Sequence, residues 1–528
     1  MTYLSVQTPF SFIKIGGGLN DTGNPFDLAD NESPDLQNID FDRFGSVMPR
    51  YGYTVLNTTA IETTNPSLGL YYLRIPLTSG SAYDTAIYDM DLYSATLWVA
   101  NSDKAITIAL DKVYKMDALD GTWVDITQTG PKLSTAGELQ CDFTTFNSKL
   151  LFTNDADIPK QWDLTTNLTN SISNMTVVTG LTQARFVTNF QNYCLMANCV
   201  VSGNDTPTRV YYSAFKDESS WDAADYLEVG FNDGQEITGF KVLGDKLIVY
   251  KTKSIWYISF TGNADIPFLV FRTNSSIGCV APFSIQEVEK GHIFLSWDGL
   301  WYFDGINSYK LSDKINNTLR NNMNRDRIAY AKSAYQFDKN RYLLSVASST
   351  STYNDMVITL TYDPFQATNS LFKASRYTGI SASSMAIFNV GGIEERLYFS
   401  DCLGYTYRGD IGINDYPSNT PYAVNSYYNT NWKNFNDICD KKGIPHAYVY
   451  HSKTNGTLTF AYSYDFNTND EYTHSFSMTT TQTVSDLGVR RDLTGRGRVV
   501  RFKFSNSATD THYVIHGIGV QASLVSRG

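Results

Sequence analysis

One hairpin pattern recurs along the chain. In Gly244–Phe260 an apolar run containing Leu247 and Val249 leads into a polar turn at Lys251–Ser254, and an aromatic run follows. This order predicts a β-hairpin, because apolar and aromatic residues favour paired strands and polar residues favour the turn between them. Three close and three looser copies of the hairpin lie at Ser148–Leu164, Gly291–Gly305, Glu395–Gly409, Leu97–Lys115, Asn192–Ser213 and Arg341–Asp363.

The hairpins are spaced almost evenly. Their first predicted buried positions, at intervals of 44 to 55 residues, are Leu97, Leu150, Cys194, Leu247, Ile293, Tyr342 and Leu397. Any all-β protein contains hairpins, but a repeat of about 40–50 residues is typical of β-propeller blades, whose sheets cover one another. We therefore predict an all-β fold with a β-propeller of six or seven blades over residues 66–412, and the unit near residues 95–125 decides the number.

The segments on either side differ from the repeats. Residues 1–65 contain a glycine loop at Gly16–Asn20 and predict an N-terminal arm that packs on other domains or on a neighbouring subunit. Glycine, asparagine, aspartate and proline cluster at Gly409–Pro421 and predict a boundary, after which residues 413–528 predict an antiparallel β-sandwich. Its strands are expected at His446–Tyr450, Thr457–Tyr464, Glu471–Met478, Val499–Phe504 and Tyr513–Gln521.

One helix is predicted between the repeats, at Ser312–Tyr330. Ser312 suits the N-cap position, and Ile315, Leu319 and Met323 recur at every fourth residue on one face. We expect an insertion that packs against the propeller through this narrow apolar stripe.

Composition agrees with an all-β protein of two or three domains. Aromatic residues make up 14% and charged residues 18% of the 528 residues, and long helical patterns are scarce. The net charge of −11 argues against a general nucleic-acid binder, which would be basic over its contact surface.

The six cysteines lack metal or disulfide spacing, so we expect free core thiols and a reducing compartment. Cys194 and Cys199 are five residues apart and should point to opposite faces of a regular strand. The N-terminus shows no secretory signal and no apolar run could span a bilayer, so we expect a soluble protein without membrane insertion, synthesised in the cytoplasm.

Catalytic and metal-binding motifs fail on inspection. His512 and His516 are four residues apart, which would suit a metal on a helix, but they fall in a strand-like segment. Asp465–Asp470 resembles the start of a calcium loop, yet Asp470 stands where the loop needs glycine. We therefore predict hairpin turns and structural histidines, with no enzyme activity, no cofactor and no metal site.

One charged cluster stands out in this acidic chain. It comprises Arg490, Arg491, Arg496, Arg498 and Arg501. The simpler interpretation is a solvated hairpin face, and the functional one is a docking patch for an acidic partner or for DNA phosphates.

The ends of the chain resemble tail nozzle proteins of short-tailed bacteriophages, also called tail tubular protein B or packaged-DNA stabilisation proteins. The opening motif of that family is matched by Gly17-Gly18-Leu19-Asn20, Asn38-Ile39-Asp40, Gly45 and Arg50-Tyr51-Gly52. The closing segment is similar at Leu493–Arg498 and His516–Val520, and propeller units such as Arg209–Ser213 also fit. Each motif is short and none is specific alone, but the likeness extends over nearly the whole chain.

The resemblance implies a structural protein of the virion tail. It implies a homo-oligomeric ring of six copies below the portal and adaptor, which retains packaged DNA, conducts it through a lumen and carries distal tail proteins such as a needle, fibre or spike. Six chains would carry −66 formal charges, six times the −11 of one chain, and a lumen of that sign would let DNA slide.

Two alternatives belong to other functional classes. One is a carbohydrate-binding propeller module that recognises the host surface through exposed tyrosine and tryptophan side chains. The other is a propeller glycosidase, which needs two converging carboxylates at the mouth of the propeller.

Overall fold

The structure, a computed structural model, describes most of the chain. The described residues are 11–24, 28–42, 45–62, 65–74, 103–117, 119–135, 140–163, 171–362, 372–390, 394–435, 438–452, 454, 456–478 and 489–524. Over these residues the protein is all-β, with nine sheets, which we number 1 to 9.

Sheets 1 to 7 follow one another along the chain, and the strands of sheets 1 to 6 pair in sequence order. Sheet 1 contains β6 (Ser67–Arg74), β7 (Asp103–Ala109), β8 (Lys112–Met116) and β9 (Val124–Asp125). Sheet 2 contains β10 (Asp142–Phe146), β11 (Lys149–Thr153), β12 (Lys160–Asp163) and β13 (Ser173–Asn174). Sheet 3 contains β14 (Leu181–Phe190), β15 (Tyr193–Val201), β16 (Asn204–Tyr212) and β17 (Tyr226–Glu228). Sheet 4 contains β18 (Ile237–Leu243), β19 (Lys246–Lys251), β20 (Ile255–Phe260) and β21 (Phe268–Arg272).

The last three of these sheets include one with six strands. Sheet 5 contains β22 (Gln286–Val288), β23 (Gly291–Ser296), β24 (Gly299–Phe303) and β25 (Ser308–Lys310). Sheet 6 contains β26 (Lys332–Gln336), β27 (Arg341–Ala347), β28 (Asn354–Tyr362) and β29 (Phe372–Thr378). Sheet 7 contains, in spatial order, β30 (Ser384–Val390), β31 (Glu394–Ser400), β32 (Thr406–Gly409), β5 (Tyr53–Val55), β33 (Asn414–Tyr416) and β34 (Tyr422–Ala423).

These seven sheets have a β-propeller-like arrangement. The first strand of each sheet contacts the first strand of the next, and β30 of sheet 7 contacts β6 of sheet 1, so the contacts form a closed cycle. The predicted hairpins form the second and third strands; in sheet 4, Val249 of β19 pairs with Trp256 of β20. All predicted buried positions within the described residues are buried, whereas Leu97 lies outside those residues.

Sheets 8 and 9 contain the C-terminal strands together with strands of the N-terminal arm. Sheet 8 contains β3 (Ile39–Phe41), β4 (Val47–Pro49), β41 (Ile515–Leu524), β36 (Lys442–His451) and β39 (Val489–Asp492), with β1 (Ser11–Ile13) also paired to β41. Sheet 9 contains β2 (Leu36–Gln37), β35 (Ser426–Asn429), β40 (Val500–Asn506), β37 (Thr457–Tyr464) and β38 (Tyr472–Ser477). All five predicted C-terminal strands are therefore confirmed.

The largest hydrophobic core joins the two groups of sheets. Val449 and Ile518 of sheet 8 and Phe460 of sheet 9 belong to the same buried cluster as Tyr342 and Ile358 of sheet 6. Sheet 7 likewise takes strands from all three predicted segments, because β5 comes from residues 1–65 and β33 follows residue 412. Hydrogen bonding thus continues across both predicted boundaries.

The prediction of one regular helix at Ser312–Tyr330 is wrong, but the predicted buried face is confirmed. The segment forms a 3-10 helix at Asp313–Ile315, a π-helix at Thr318–Asn322 and a second 3-10 helix at Arg325–Tyr330. The Ser312 hydroxyl caps nothing and accepts a hydrogen bond from the Leu300 amide instead. Ile315, Leu319 and Met323 are all buried, as the stripe predicts.

The helical segment is capped by the arm. One carboxylate oxygen of Asp21 accepts from the Thr318 amide at 2.7 Å and the other from the Asn317 amide at 3.2 Å. A carboxylate beside free amides at the start of a helical turn is stabilising. Asp21 lies almost 300 residues away, so a search for a local cap could not find it.

The expectation for the Cys194 and Cys199 side chains is also wrong. Both are buried in one cluster, with Leu181 and Tyr211. The register of β15 shifts between Ala197 and Cys199, where Asn198 adopts a φ of 54°. A β-bulge adds one residue to the strand and so changes the face that follows it.

Candidate functional site: the junction of the N-terminal arm with both groups of sheets

The arm closes sheet 7. Its strand β5 pairs antiparallel with β32, where Tyr53 opposes Gly409, and parallel with β33, where Tyr53 opposes Asp415. Residues near the start of the chain therefore lie between strands from the end of the sheet ring. This pairing ties the two ends of the ring together without a covalent bond.

Arg50 anchors the arm immediately before β5. Its guanidinium is 2% exposed and binds both carboxylate oxygens of Asp415, at 2.7 and 2.8 Å. Its Nε donates to the Asn38 side chain at 3.1 Å, and Nη2 donates to the Thr378 carbonyl at 3.2 Å. Bidentate arginine–carboxylate pairs are strong and fix geometry. Arg50 thus joins the arm to sheets 6 and 7 at one point.

A second buried arginine lies across the same junction. Arg341 of β27 donates to Asp40 of the arm at 3.0 Å and also binds Asp410, which follows β32. The Tyr377 hydroxyl donates to the other oxygen of Asp40. Burial opposes the charge of Asp410, but Arg341 and Lys339 outweigh burial and hold the pKa of Asp410 well below its usual range. Asp410 is therefore an anion at neutral pH.

Two glycines of the opening motif, Gly17 and Gly52, are required by close contacts. A Cβ atom on Gly52 would lie 1.7 Å from the Asn414 carbonyl oxygen. A Cβ atom on Gly17 would lie 2.7 Å from the Asn31 side chain. The atoms close to Gly52 are main-chain atoms of Asn414, which belongs to β33. Any side chain at Gly52 would therefore push β5 away from β33.

The opening motif therefore maps onto the junction. Leu19 and Ile39 are buried, Asn38 accepts from Arg50, and Asp40 accepts from Arg341. Sequence reasoning found these arm residues but missed their partners Arg341, Asp410 and Asp415. Both aspartates lie within the Gly409–Pro421 stretch, where composition predicts a boundary and nothing marks them as partners of arginine.

The closing segment contacts the same arm. His516 of β41 lies 2.9 Å from the Ser46 hydroxyl through Nδ1 and 2.9 Å from the Ser452 hydroxyl through Nε2. Ser46 precedes β4, whose Val47 pairs with Ile515. His516 therefore links the arm to sheet 8, which agrees with a structural histidine.

The five arginines of the charged cluster are divided between two sheets. Arg490 and Arg491 lie on β39 of sheet 8, and Arg501 lies on β40 of sheet 9. Arg490 is paired with Asp492 at 3.0 Å, and Arg501 lies over the Trp432 ring and donates to the Thr468 carbonyl. Arg496 and Arg498 are exposed in the connection between the two strands. The arginines thus lie on β39, on β40 and in the segment that joins them. At least Arg490 and Arg501 already contact other residues of the chain.

The calcium-loop-like segment and His292 both have structural roles. Asp465 and Phe466 form the turn between β37 and β38. His292 is buried between the Tyr250 hydroxyl and the Val242 carbonyl, and burial lowers its pKa to about 4. Across the described residues, histidine, cysteine, aspartate and glutamate form no group of three that could hold a metal ion. In the same part of the chain, no helical segment has the length and hydropathy needed to cross a bilayer.

Comparison with known proteins identifies no family. Neither a scan against known protein families nor a search among curated proteins finds a match. Among solved structures, the computationally designed Ika8 protein resembles 68% of this chain over 100% of its own length, with 10% identity and a TM-score of 0.36. The N-terminal domain of Nup159 resembles 68% of this chain over 95% of its own length, with 11% identity and a TM-score of 0.35. Similarity at this level carries no argument about function.

Proposed function

We propose that sheets 1 to 7 form a seven-bladed β-propeller and that sheets 8 and 9 form a β-sandwich. The cyclic contacts between the first strands, which include β6 of sheet 1, support seven blades over six. The core shared by Val449 of sheet 8 and Phe460 of sheet 9 supports face-to-face packing of those two sheets.

We further propose that the protein is a structural component of a short-tailed phage virion, the tail nozzle. In this role about six copies form a ring below the portal and adaptor, retain the packaged genome, conduct it and carry distal tail proteins. The observation that carries the proposal is the position of the opening motif. The motif residues Asn38, Asp40, Arg50 and Gly52 hold the arm between the propeller-like ring and sheets 8 and 9.

A subunit whose parts are held rigidly together suits the wall of a DNA conduit. The arm fixes the two groups of sheets relative to each other through strand pairing and two buried arginines, so the subunit resists hinge motion at that point. Its charge of −11 opposes tight binding to phosphates, which lets DNA pass. A lumen lined with lysine and arginine would contradict this part of the proposal.

The proposal is tested by the mass and the location of the assembled protein. Mass photometry of the full chain, alone and with the phage adaptor, should give a species of about 355 kDa, six times the 59.2 kDa of one chain. Cryo-electron microscopy of the virion should place the chain in the tail below the adaptor. A protein that stays monomeric with its adaptor and binds glycans, or that releases sugars from them, would refute the nozzle in favour of a lectin or a glycosidase.

A further inference from the structure

A cavity of about 220 Å³ lies where the first strands of the seven sheets converge. Its lining takes residues from every sheet of the ring, from Tyr71 in sheet 1 to Met385 in sheet 7. A water molecule occupies about 30 Å³ in the liquid, so the space corresponds to roughly seven waters. A small organic molecule fits in this volume.

Two lysines line the cavity, and neither forms a direct ion pair. Lys332 of β26 is 6% exposed, and its ammonium lies 3.6 Å from the centre of the Phe283 ring. Lys241 of β18, in sheet 4, also lines the cavity. Within the described residues, no carboxylate lies within 4.0 Å of either ammonium. A buried ammonium without an anion is costly, and burial accordingly lowers the pKa of Lys332 to about 8.

The one carboxylate that lines the cavity, Asp142, attracts both lysines but is engaged by main-chain amides. One oxygen of Asp142 accepts from its neighbouring Phe143 amide at 3.1 Å, and the other accepts from the Val187 amide at 3.0 Å. Asp142 therefore serves to join sheets 2 and 3. Among the lining residues, two lysines and one aspartate leave one unmatched positive charge when all three are ionised, although Glu287 outside the lining also attracts Lys241.

Five aromatic residues also line the cavity, beside glycine, serine and aliphatic residues: Tyr71, Phe143, Phe186, Phe240 and Phe283. Tyr71 stacks on Phe143 with ring centres 5.4 Å apart, which joins sheets 1 and 2. Phe186 and Phe240 meet edge to face at 6.3 Å, which joins sheets 3 and 4. Aromatic side chains beside a few convergent charged groups are a common construction of a small-molecule site.

We propose that this central cavity binds a small organic anion, a carboxylate on a short apolar body. Lys241 and Lys332 hold the carboxylate, and the aromatic rings contact the apolar body. The proposal concerns each chain separately and stands whether or not the chains assemble into a ring.

Calorimetric titration of the full-length protein with benzoate, at neutral pH and low ionic strength, tests the site. The wild type should bind one benzoate per chain. Lys241→Met and Lys332→Met should each weaken binding by at least about tenfold, since each removes one of the two attracting charges. Lys253→Met is the matched control, because Lys253 is exposed in a turn of sheet 4, away from the cavity, and should bind like the wild type.

Asp142→Asn gives a test that misfolding cannot imitate. It removes the repelling carboxylate while its side-chain oxygen can still accept a main-chain hydrogen bond, so benzoate should bind about tenfold more tightly. Inorganic phosphate serves as a second probe and should bind more weakly than benzoate. Absence of saturable benzoate binding, unchanged affinity in both lysine variants, no gain in Asp142→Asn, or preference for phosphate would each overturn the proposal.

Discussion

Replacing Arg341 with methionine removes the guanidinium that joins Asp40 of the arm to Asp410 beside sheet 7. The Arg341 side chain is 3% exposed, and those of Asp40 and Asp410 are 13% and 12% exposed. Two hydrogen-bonded charge pairs at about 1.5–3 kcal/mol each give about 3–6 kcal/mol. Removing one partner from a buried ion pair typically costs about 3–5 kcal/mol, because the remaining charge stays buried. We expect a loss of about 4 kcal/mol in the free energy of unfolding.

Urea unfolding followed by tryptophan fluorescence at neutral pH measures this loss. The matched control is Arg396→Met in sheet 7, where the pair with Glu394 is exposed, with Glu394 at 52%. Exposed ion pairs contribute about 0–1 kcal/mol, so this variant should stay close to the wild type. A triple variant with Arg341→Met, Asp40→Asn and Asp410→Asn should recover part of the loss, since it leaves no uncompensated charge.

The pH dependence provides a separate check. The pKa of Asp410 is lower in the folded protein than in the unfolded chain, so its contribution to stability is present above the unfolded pKa of about 4 and is lost as the pH falls below it. The difference between the wild type and Arg341→Met should therefore shrink in acid. Equal stability of Arg341→Met and Arg396→Met at neutral pH would refute the assignment of Arg341 as an anchor of the arm.

Three further predictions concern other parts of the molecule. Burial raises the pKa of Asp142 to about 6 against the opposing effect of Lys241 and Lys332, so the favourable protonated form is lost as the pH rises through 6; the wild type should therefore lose stability between about pH 5 and pH 7 in urea unfolding, and Asp142→Asn, which cannot ionise, should lack this loss. Gly52→Ala should lower the melting temperature far more than Gly244→Ala. Gly244 has a φ of 61°, but no atom lies within 4 Å of a Cβ added there, so equal thermal shifts would contradict the clash of Gly52→Ala with Asn414. If the arginine cluster docks an acidic partner, Arg490→Ser, Arg491→Ser and Arg496→Ser together should weaken assembly in mass photometry without altering the circular dichroism spectrum, whereas unchanged assembly would leave a solvated hairpin face.

The sequence alone predicted the parts of the fold that depend on near neighbours. A hairpin such as β19–β20 is specified by its own apolar and aromatic alternation and by the polar turn between its strands. The buried stripe of Ile315, Leu319 and Met323 is visible for the same reason, although the pattern could not distinguish an α-helix from a π-helix flanked by 3-10 turns.

Tertiary structure decided the features that depend on residues far apart in the chain. Arg50 meets Asp415, and Asp21 caps Thr318, across separations of 365 and 297 residues. A single sequence contains no period or spacing that links such pairs, since they meet only when the ring closes and β5 enters sheet 7. The central cavity arises in the same way, because Lys241 and Lys332 belong to different sheets and share a space only once the first strands converge.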